Sequence, residues 1–284
     1  MLRKLGIVAV LPFLATLFVG IAQAVGESKG AGAAQSPTDG WKLHVTPYIW
    51  MARSDGSATV GGTTATIDVG FTDILEHIEF GFMGRAEIAK GRWSFAVDGL
   101  YMKLGKGVDT RLVSVDVDMR MAMIDFIARY RVIDMPLGDK FQYDITRDRP
   151  AFTVDLIGGF RYTWMRLDAE FTPGPLLVFL GATPVKTIQT TQWVDPLIGA
   201  RVAWQFKPEW ALGVEGTVGG FGIGNASDLT WNIVGGIQYQ LTSAHTFFVG
   251  YRALRIERSS GSGASKFRIN ATMHGPIVGW RFTF

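Results

Sequence analysis

Residues 275–284 read GPIVGWRFTF. Pro276, Val278, Trp280, Phe282 and Phe284 share one parity, and Gly275, Ile277, Gly279, Arg281 and Thr283 the other. A period of two marks a β-strand with unlike faces. The bulky face must meet either a protein core or lipid, and the rest of the chain decides between them.

The same alternation recurs. Ten segments carry it, at approximately 41–53, 78–90, 92–104, 115–131, 151–167, 191–206, 209–221, 229–241, 245–257 and 272–284. Each has at least the nine to eleven or so residues that a tilted strand needs to cross a bilayer. After residue 24 no apolar run approaches the roughly eighteen residues of a membrane helix. Thirty-five glycines beside 9 Trp, 7 Tyr and 19 Phe suit bent, closely packed strands with aromatic girdles, and suit helices poorly.

The connections alternate as well. Tight turns are expected around Gly91, around Lys207-Pro208-Glu209 and around Thr242-Ser243-Ala244, and longer polar loops at 54–77, 105–114, 168–190, 222–228 and 258–271. Residues 132–150 break the rule, being long where a turn is due. One rim of turns and one of loops is the asymmetry of a membrane barrel with short periplasmic turns and long extracellular loops. Twelve strands are the alternative to ten, if residues 57–69 form a membrane hairpin; Gly61-Gly62 and Thr63-Thr64 favour an extracellular extension there instead.

Parity then separates two faces. In the fifth segment Phe152, Val154, Leu156, Phe160, Tyr162 and Trp164 oppose Asp155, Arg161 and Thr163. Trp or Tyr stands near the ends of the apolar face throughout: Trp41, Trp93, Tyr101, Tyr130, Trp164, Trp204, Trp210, Trp231, Tyr239 and Trp280. Such placement fits interfacial girdles. A soluble β-sandwich would alternate too, but its solvent face would spread Lys, Ser, Thr and Glu along each strand. Here the opposite face gathers acids and arginines at mid-strand among small residues. If the apolar parity meets lipid, the inner face carries Arg85, Glu87, Asp98, Asp125, Arg129, Asp155, Arg161, Asp195, Arg201, Glu215, Arg252 and Arg281. Six acids and six arginines imply a paired network, because buried charges persist only when matched and hydrogen-bonded. In a barrel this narrow they serve as struts or line a slender polar pathway for small solutes. Pro47, Pro196 and Pro276 fall within strands and predict bulges.

At the N-terminus Arg3 and Lys4 precede an apolar run of about fifteen residues and the small-x-small triplet Ala22-Gln23-Ala24, the pattern of a cleaved export signal at 1–24. Residues 25–40 are small and polar and read as a flexible leader to a barrel spanning 41–284. Without Arg3 and Lys4 the basic count falls from 28 to 26 against 25 acids, so the formal charge drops from +3 to +1 and nucleic acid is not an expected partner. With no cysteine, disulfides, thiolate catalysis and thiolate metal sites are excluded.

Residues 275–284, with Trp280, Phe282 and Phe284, resemble the terminal strand of Gram-negative outer-membrane β-barrel proteins. That resemblance implies an assembly signal read by the barrel-insertion machinery. PYIWMARSDGSATVGG (47–62) and FTDILEHIEFGFMGRAEIAKGRWSFAVDGLYMKL (71–104) are similar to an uncharacterised proteobacterial porin-like barrel family, which implies an outer-membrane location and no particular reaction. Lipid and lipopolysaccharide are the expected surroundings.

Catalytic signatures are absent: no Gly-x-Ser-x-Gly, His-Glu-x-x-His or Walker loop occurs. GGFGIG at 219–224 reads as a glycine-rich strand end and not a dinucleotide fingerprint. His44 has inner parity near the turn rim. His245 sits at a turn, and His274 lies on the lipid parity near a loop, neither with an evident acidic partner. Asp73, Glu76 and His77 fit one short helix whose apolar stripe (Phe71, Ile74, Leu75, Ile78) docks over the mouth; metal ligation there is the weaker alternative. No cofactor, metal or catalytic residue is expected. The leading function is a structural or narrow channel role, with a lipid- or peptide-directed barrel enzyme or a surface-binding module as alternatives.

Overall fold

The computed structural model describes residues 40–60, 63–109, 113–137, 151–173, 179, 183–263 and 266–284. The expected export signal and the leader as far as residue 39 lie outside them. The elements are β1 (Lys42–Trp50), β2 (Arg53–Val60), β3 (Thr63–Val69), α1 (Phe71–His77), β4 (Ile78–Lys90), β5 (Trp93–Asp109), β6 (Val113–Pro136), β7 (Ala151–Pro173), β8 (Val185–Gln205), β9 (Trp210–Gly219), β10 (Leu229–Gln240), β11 (His245–Ser260) and β12 (Phe267–Thr283).

Ten strands close a barrel. Each of β4 to β11 pairs antiparallel with the next, and β1 joins β4 on one side and β12 on the other, with His44 opposite Glu87 and Thr283. The barrel therefore has ten staves, and β2–β3 are not two more. β2 continues the register of β1 along β12, from His274↔Arg53 to Phe267↔Val60, and β3 hangs on β2 as a hairpin beyond the barrel wall.

Several expected loops are strand instead. β5 and β6 stay paired out to Asp109↔Ser114, β7 and β8 to Phe171↔Val185, and β11 and β12 to Ser260↔Phe267. The expected loops at 105–114, 168–190 and 258–271 thus shrink to 110–112, 174–184 and 261–266. Polarity misled there: Ser114, Asp116 and Asp118 still alternate with Val113, Val115 and Val117, and a wall that rises above the lipid needs no apolar outer face. The long exception at 132–150 begins as strand, since β6 runs to Pro136, and its remainder from 138 lies outside the described residues.

The prolines do not make bulges. Register shifts occur at Ile78/Phe80 and Arg131/Ile133, whereas Phe160↔Pro196 stays in line and β12 keeps one register past Pro276. The carbonyl of Pro196 accepts from Gly220 N, just past the end of β9, and that of Pro276 accepts from Met51 N, in the gap between β1 and β2. A residue's N–H and C=O point the same way across an antiparallel ladder. The missing donor therefore faces a neighbour that has already left the sheet.

Bulky residues line the outside. Phe95, Val97, Leu156, Phe160, Ile198, Val214 and Ile233 are exposed, and Phe126 stacks on Phe160 at 4.8 Å. Toward the turn end Trp93 meets Tyr130 at 4.7 Å, Trp210 meets Tyr239 at 4.6 Å and Phe247 meets Trp280 at 6.0 Å. In a soluble sandwich these side chains would be the core; here the core is on the other face.

Candidate functional site: the barrel interior

The inward residues sort into layers. Toward the loop end they are apolar: Trp50, Leu100, Met121, Leu254, Ile256 and Ile269 belong to one buried cluster. Methionine is overrepresented in it, with Met102, Met121 and Met165 opposite one another on β5, β6 and β7. Unbranched thioethers fill an irregular taper that β-branched side chains cannot follow.

Next toward the turn end lies a charged belt. Arg85, Asp98, Asp125, Arg161 and Asp195 are successive register partners across β4, β5, β6, β7 and β8, so strand pairing alone brings them into one row. Arg161 is fully buried and grips Asp125 bidentately, Nε to Oδ1 at 2.6 Å and Nη2 to Oδ2 at 2.7 Å, while Nη1 donates to Thr230 Oγ1 at 3.1 Å. A planar fork on a carboxylate is the strongest way to neutralise a charge away from water.

A second cluster crosses the lumen. Arg129 bridges Glu87 Oε2 at 2.8 Å and Glu215 Oε2 at 2.6 Å, and Arg85 reaches Glu215 Oε1 at 3.2 Å and Glu87 Oε2 at 3.4 Å. Arg252 donates to Tyr48 Oη at 3.0 Å and to Asn232 Oδ1 at 2.9 Å, and Tyr48 donates to Asp98 Oδ1 at 2.8 Å. The Arg252 guanidinium also lies 4.9 Å from the centre of the Trp50 ring, a cation–π contact that joins the belt to the apolar layer.

Of the twelve expected inner charges, Asp155, Arg161 and Asp195 are buried and the other nine line a cavity within the belt, but they do not all form acid–arginine pairs. Asp195 accepts instead from Ser227 N at 2.6 Å, Ser227 Oγ at 3.0 Å and Trp193 Nε1 at 3.0 Å, anchoring the β9–β10 loop to the wall. Arg281 donates to neutral Gln238 at 3.2 Å, and Arg201 is 3.9 Å from Asp155, whose nearer partner is Arg131 at 2.9 Å. Arg131 was not foreseen, although it shares the parity of Asp125 and Arg129 and the register shifts only after it. Tyr48, Trp50, Trp193 and Asn232 were also overlooked. Tyr48 and Trp50 share the parity of His44, so the signal was there, but inward aromatics break the rule that large side chains face lipid.

Two cavities occupy the turn-end half. One, of about 110 Å³, is lined by residues of the belt, including Arg85, Glu87, Arg129 and Glu215. The other, of about 200 Å³, opens at the turn rim between His44, Arg131, Gln205 and Glu209. Arg201, Gln238, Thr246 and Arg281 line both.

The histidines fall in varied places. His44 Nδ1 lies 3.0 Å from Thr283 Oγ1 in the turn-rim cavity, and His245 accepts from Trp280 Nε1 at 3.3 Å. His77 ends α1 with Nδ1 2.7 Å from Asp73 O, and among the described residues no His, Cys, Asp or Glu cluster suits a metal ion. His274 departs from expectation. It does have an acidic partner, Asp55 Oδ2 at 3.2 Å from Nε2, and its Nδ1 is 2.6 Å from Tyr251 Oη, because β2 carries Asp55 alongside β12 on the outer wall.

No protein-family model matches the chain, and no curated protein matches it in sequence. Among solved structures it is similar to the outer membrane protease OmpT from Escherichia coli, at 10% identity and a TM-score of 0.51, over 88% of this chain and 99% of that one. Looser similarities reach the translocator domain of the autotransporter NalP from Neisseria meningitidis (10% identity, TM-score 0.35, 98% and 97% covered) and Ail of Yersinia pestis (9%, 0.32, 87% and 100%). At these identities the first likeness is one of fold, the closed barrel of the bacterial outer membrane, and the other two are too distant to build on.

Proposed function

We propose that this protein is an outer-membrane barrel with a structural role, closed at rest by its own side chains, its turn rim toward the periplasm and its β2–β3 hairpin outside. One observation carries this reading: Arg161, Thr163, Asp195, Thr230 and Leu254, from β7, β8, β10 and β11, are each fully buried within the lumen. An apolar layer over a neutralised belt blocks both water and ions. The periplasmic cavity gives small polar solutes a vestibule and not a passage. Planar-bilayer recording of the purified protein tests it. Wild type is expected to show no discrete openings, and Trp193→Ala with Leu254→Ala, which hollows the apolar layer, is expected to introduce them. Steady conductance steps in wild type would make the barrel a channel and overturn the sealed reading.

A second reading, an enzyme acting on outer-leaflet lipid, is favoured by the chain Asp55–His274–Tyr251 on the outer wall, in which one imidazole joins a carboxylate to a phenol. Hydrolysis of ester-linked lipid by wild type, lost in His274→Ala, would support it. Equal inertness of both proteins would remove it.

A further inference from the structure

The acids of the lumen are already engaged. Arg161 takes both oxygens of Asp125, Arg85 and Arg129 share Glu87 and Glu215, Tyr48 and Arg252 meet at Asp98, and Arg131 holds Asp155. Asp195 accepts from Ser227 and Trp193, donors that carry no charge. Two arginines are left over. Arg201 reaches Asp155 only at 3.9 Å, and Arg281 bonds neutral Gln238 and forms no ion pair among the described residues.

Both line the cavity of about 200 Å³ that opens at the turn rim, and neither is sealed from it: 21% of the Arg201 side chain is exposed, and Arg281 is partly exposed. Uncompensated charge inside a barrel is costly, and two cations on one cavity repel each other as well. A strut is paired, as Arg161 is. Two unmatched guanidiniums beside open volume are half of an ion pair whose other half comes from outside. Thr246, the register partner of Arg281, adds a hydroxyl to the same wall.

We infer that the turn-rim cavity binds a small dianion, a phosphate group or a dicarboxylate, between Arg201 and Arg281. Each guanidinium is a planar fork suited to two oxygens, so the pair matches a ligand with two negative charges and several acceptors. Size agrees, since the cavity is smaller than the roughly 300 Å³ at which pockets for drug-sized ligands begin. Glu209, on the β8–β9 turn, is the carboxylate lining this cavity, and it opposes such a ligand at the mouth. The inference rests on the proposed vestibule, whose opening toward the periplasm supplies the ligand.

Isothermal titration of the full-length protein in detergent tests it, with inorganic phosphate, succinate and acetate as probes at a mildly alkaline pH where phosphate is a dianion. Wild type is expected to bind phosphate or succinate at least tenfold more tightly than acetate, and the tighter of the two identifies the ligand class. Arg281→Gln should weaken that dianion at least tenfold. Glu209→Gln should tighten it about threefold, the scale of one solvent-screened charge interaction. Lys186→Gln, outside the cavity, should leave it unchanged. Urea unfolding separates binding from support: the dianion should raise the wild-type midpoint, whereas Arg281→Gln, which strands no carboxylate, should unfold no earlier than wild type without it. Acetate binding as tightly as the dianions, an unaffected Arg281→Gln, or an earlier unfolding of that variant without anion would overturn the site. If Arg281→Gln lacks the heat-modifiable migration of a closed barrel, Glu209→Gln decides, and unchanged or weaker dianion binding there overturns the site. A barrel silent in bilayers that ignores both dianions defeats this site alone, whereas conductance in wild type defeats the sealed reading and leaves Arg281-dependent binding in place.

Discussion

Replacing Arg161 with alanine is expected to cost about 3–5 kcal/mol of barrel stability, the range for removing one partner of a buried ion pair. The loss comes mostly from what stays behind. Asp125 would keep its place at 5% side-chain exposure with neither of the guanidinium nitrogens that now hold its two oxygens, and Thr230 would lose the donor to its Oγ1. Asp195, the register partner of Arg161 on β8, cannot substitute, since its oxygens are already taken by Ser227 and Trp193. The companion double variant, Arg161→Met with Asp125→Leu, removes both charges while filling the same space, and should recover most of the lost stability. Urea unfolding in lipid vesicles, followed by tryptophan fluorescence, measures both. A loss below about 1 kcal/mol for the single variant would mean that water reaches Asp125, and the sealed lumen would fall with it.

This belt also shows how far the residues alone could lead. Parity identified the inward charges because a strand admits only two faces, and a single register then aligned Arg85, Asp98, Asp125, Arg161 and Asp195 across five strands. Partner choice was beyond it. Arg161 lies between two acids in register and bonds one of them, and that selection depends on Ser227 arriving from a loop thirty-two residues along the chain from Asp195. The apolar layer was illegible for a different reason. Period two separates faces but does not say which face is wet, so inward Trp50, Met121 and Leu254 contradict a simple rule of polar inside and apolar outside. Strand length was misjudged wherever the wall leaves the bilayer, because β6 and β7 continue on backbone pairing after their outer faces turn polar. The Asp55–His274 pair required knowing that β2 follows β12, a contact between positions 219 residues apart.

Gly158 and Gly159 provide a matched pair in which adjacent, chemically identical residues should respond in opposite ways. A Cβ on Gly158 would point to open space outside the barrel, with nothing within 4 Å, whereas one on Gly159 would come within 2.1 Å of the Phe126 carbonyl oxygen and 3.2 Å of the Ile127 Cα. Both obstacles are backbone on β6, and β6 cannot yield without breaking the ladder that places Asp125 opposite Arg161. The close approach reflects curvature: where a wall bends inward, the neighbouring strand occupies the space of an inner Cβ, and glycine is the residue that permits the bend. Gly159→Ala is therefore expected to cost about 3 kcal/mol or more, at or above the upper end of ordinary overpacking, with a fall in the fraction of heat-modifiable, closed barrel. Gly158→Ala should be neutral or stabilising by up to about 1 kcal/mol, since alanine restricts the unfolded chain and meets no obstacle in the folded one. Equal losses for the two variants would show that flexibility of the Gly-Gly step, and not the approach of β6, is what the barrel requires there.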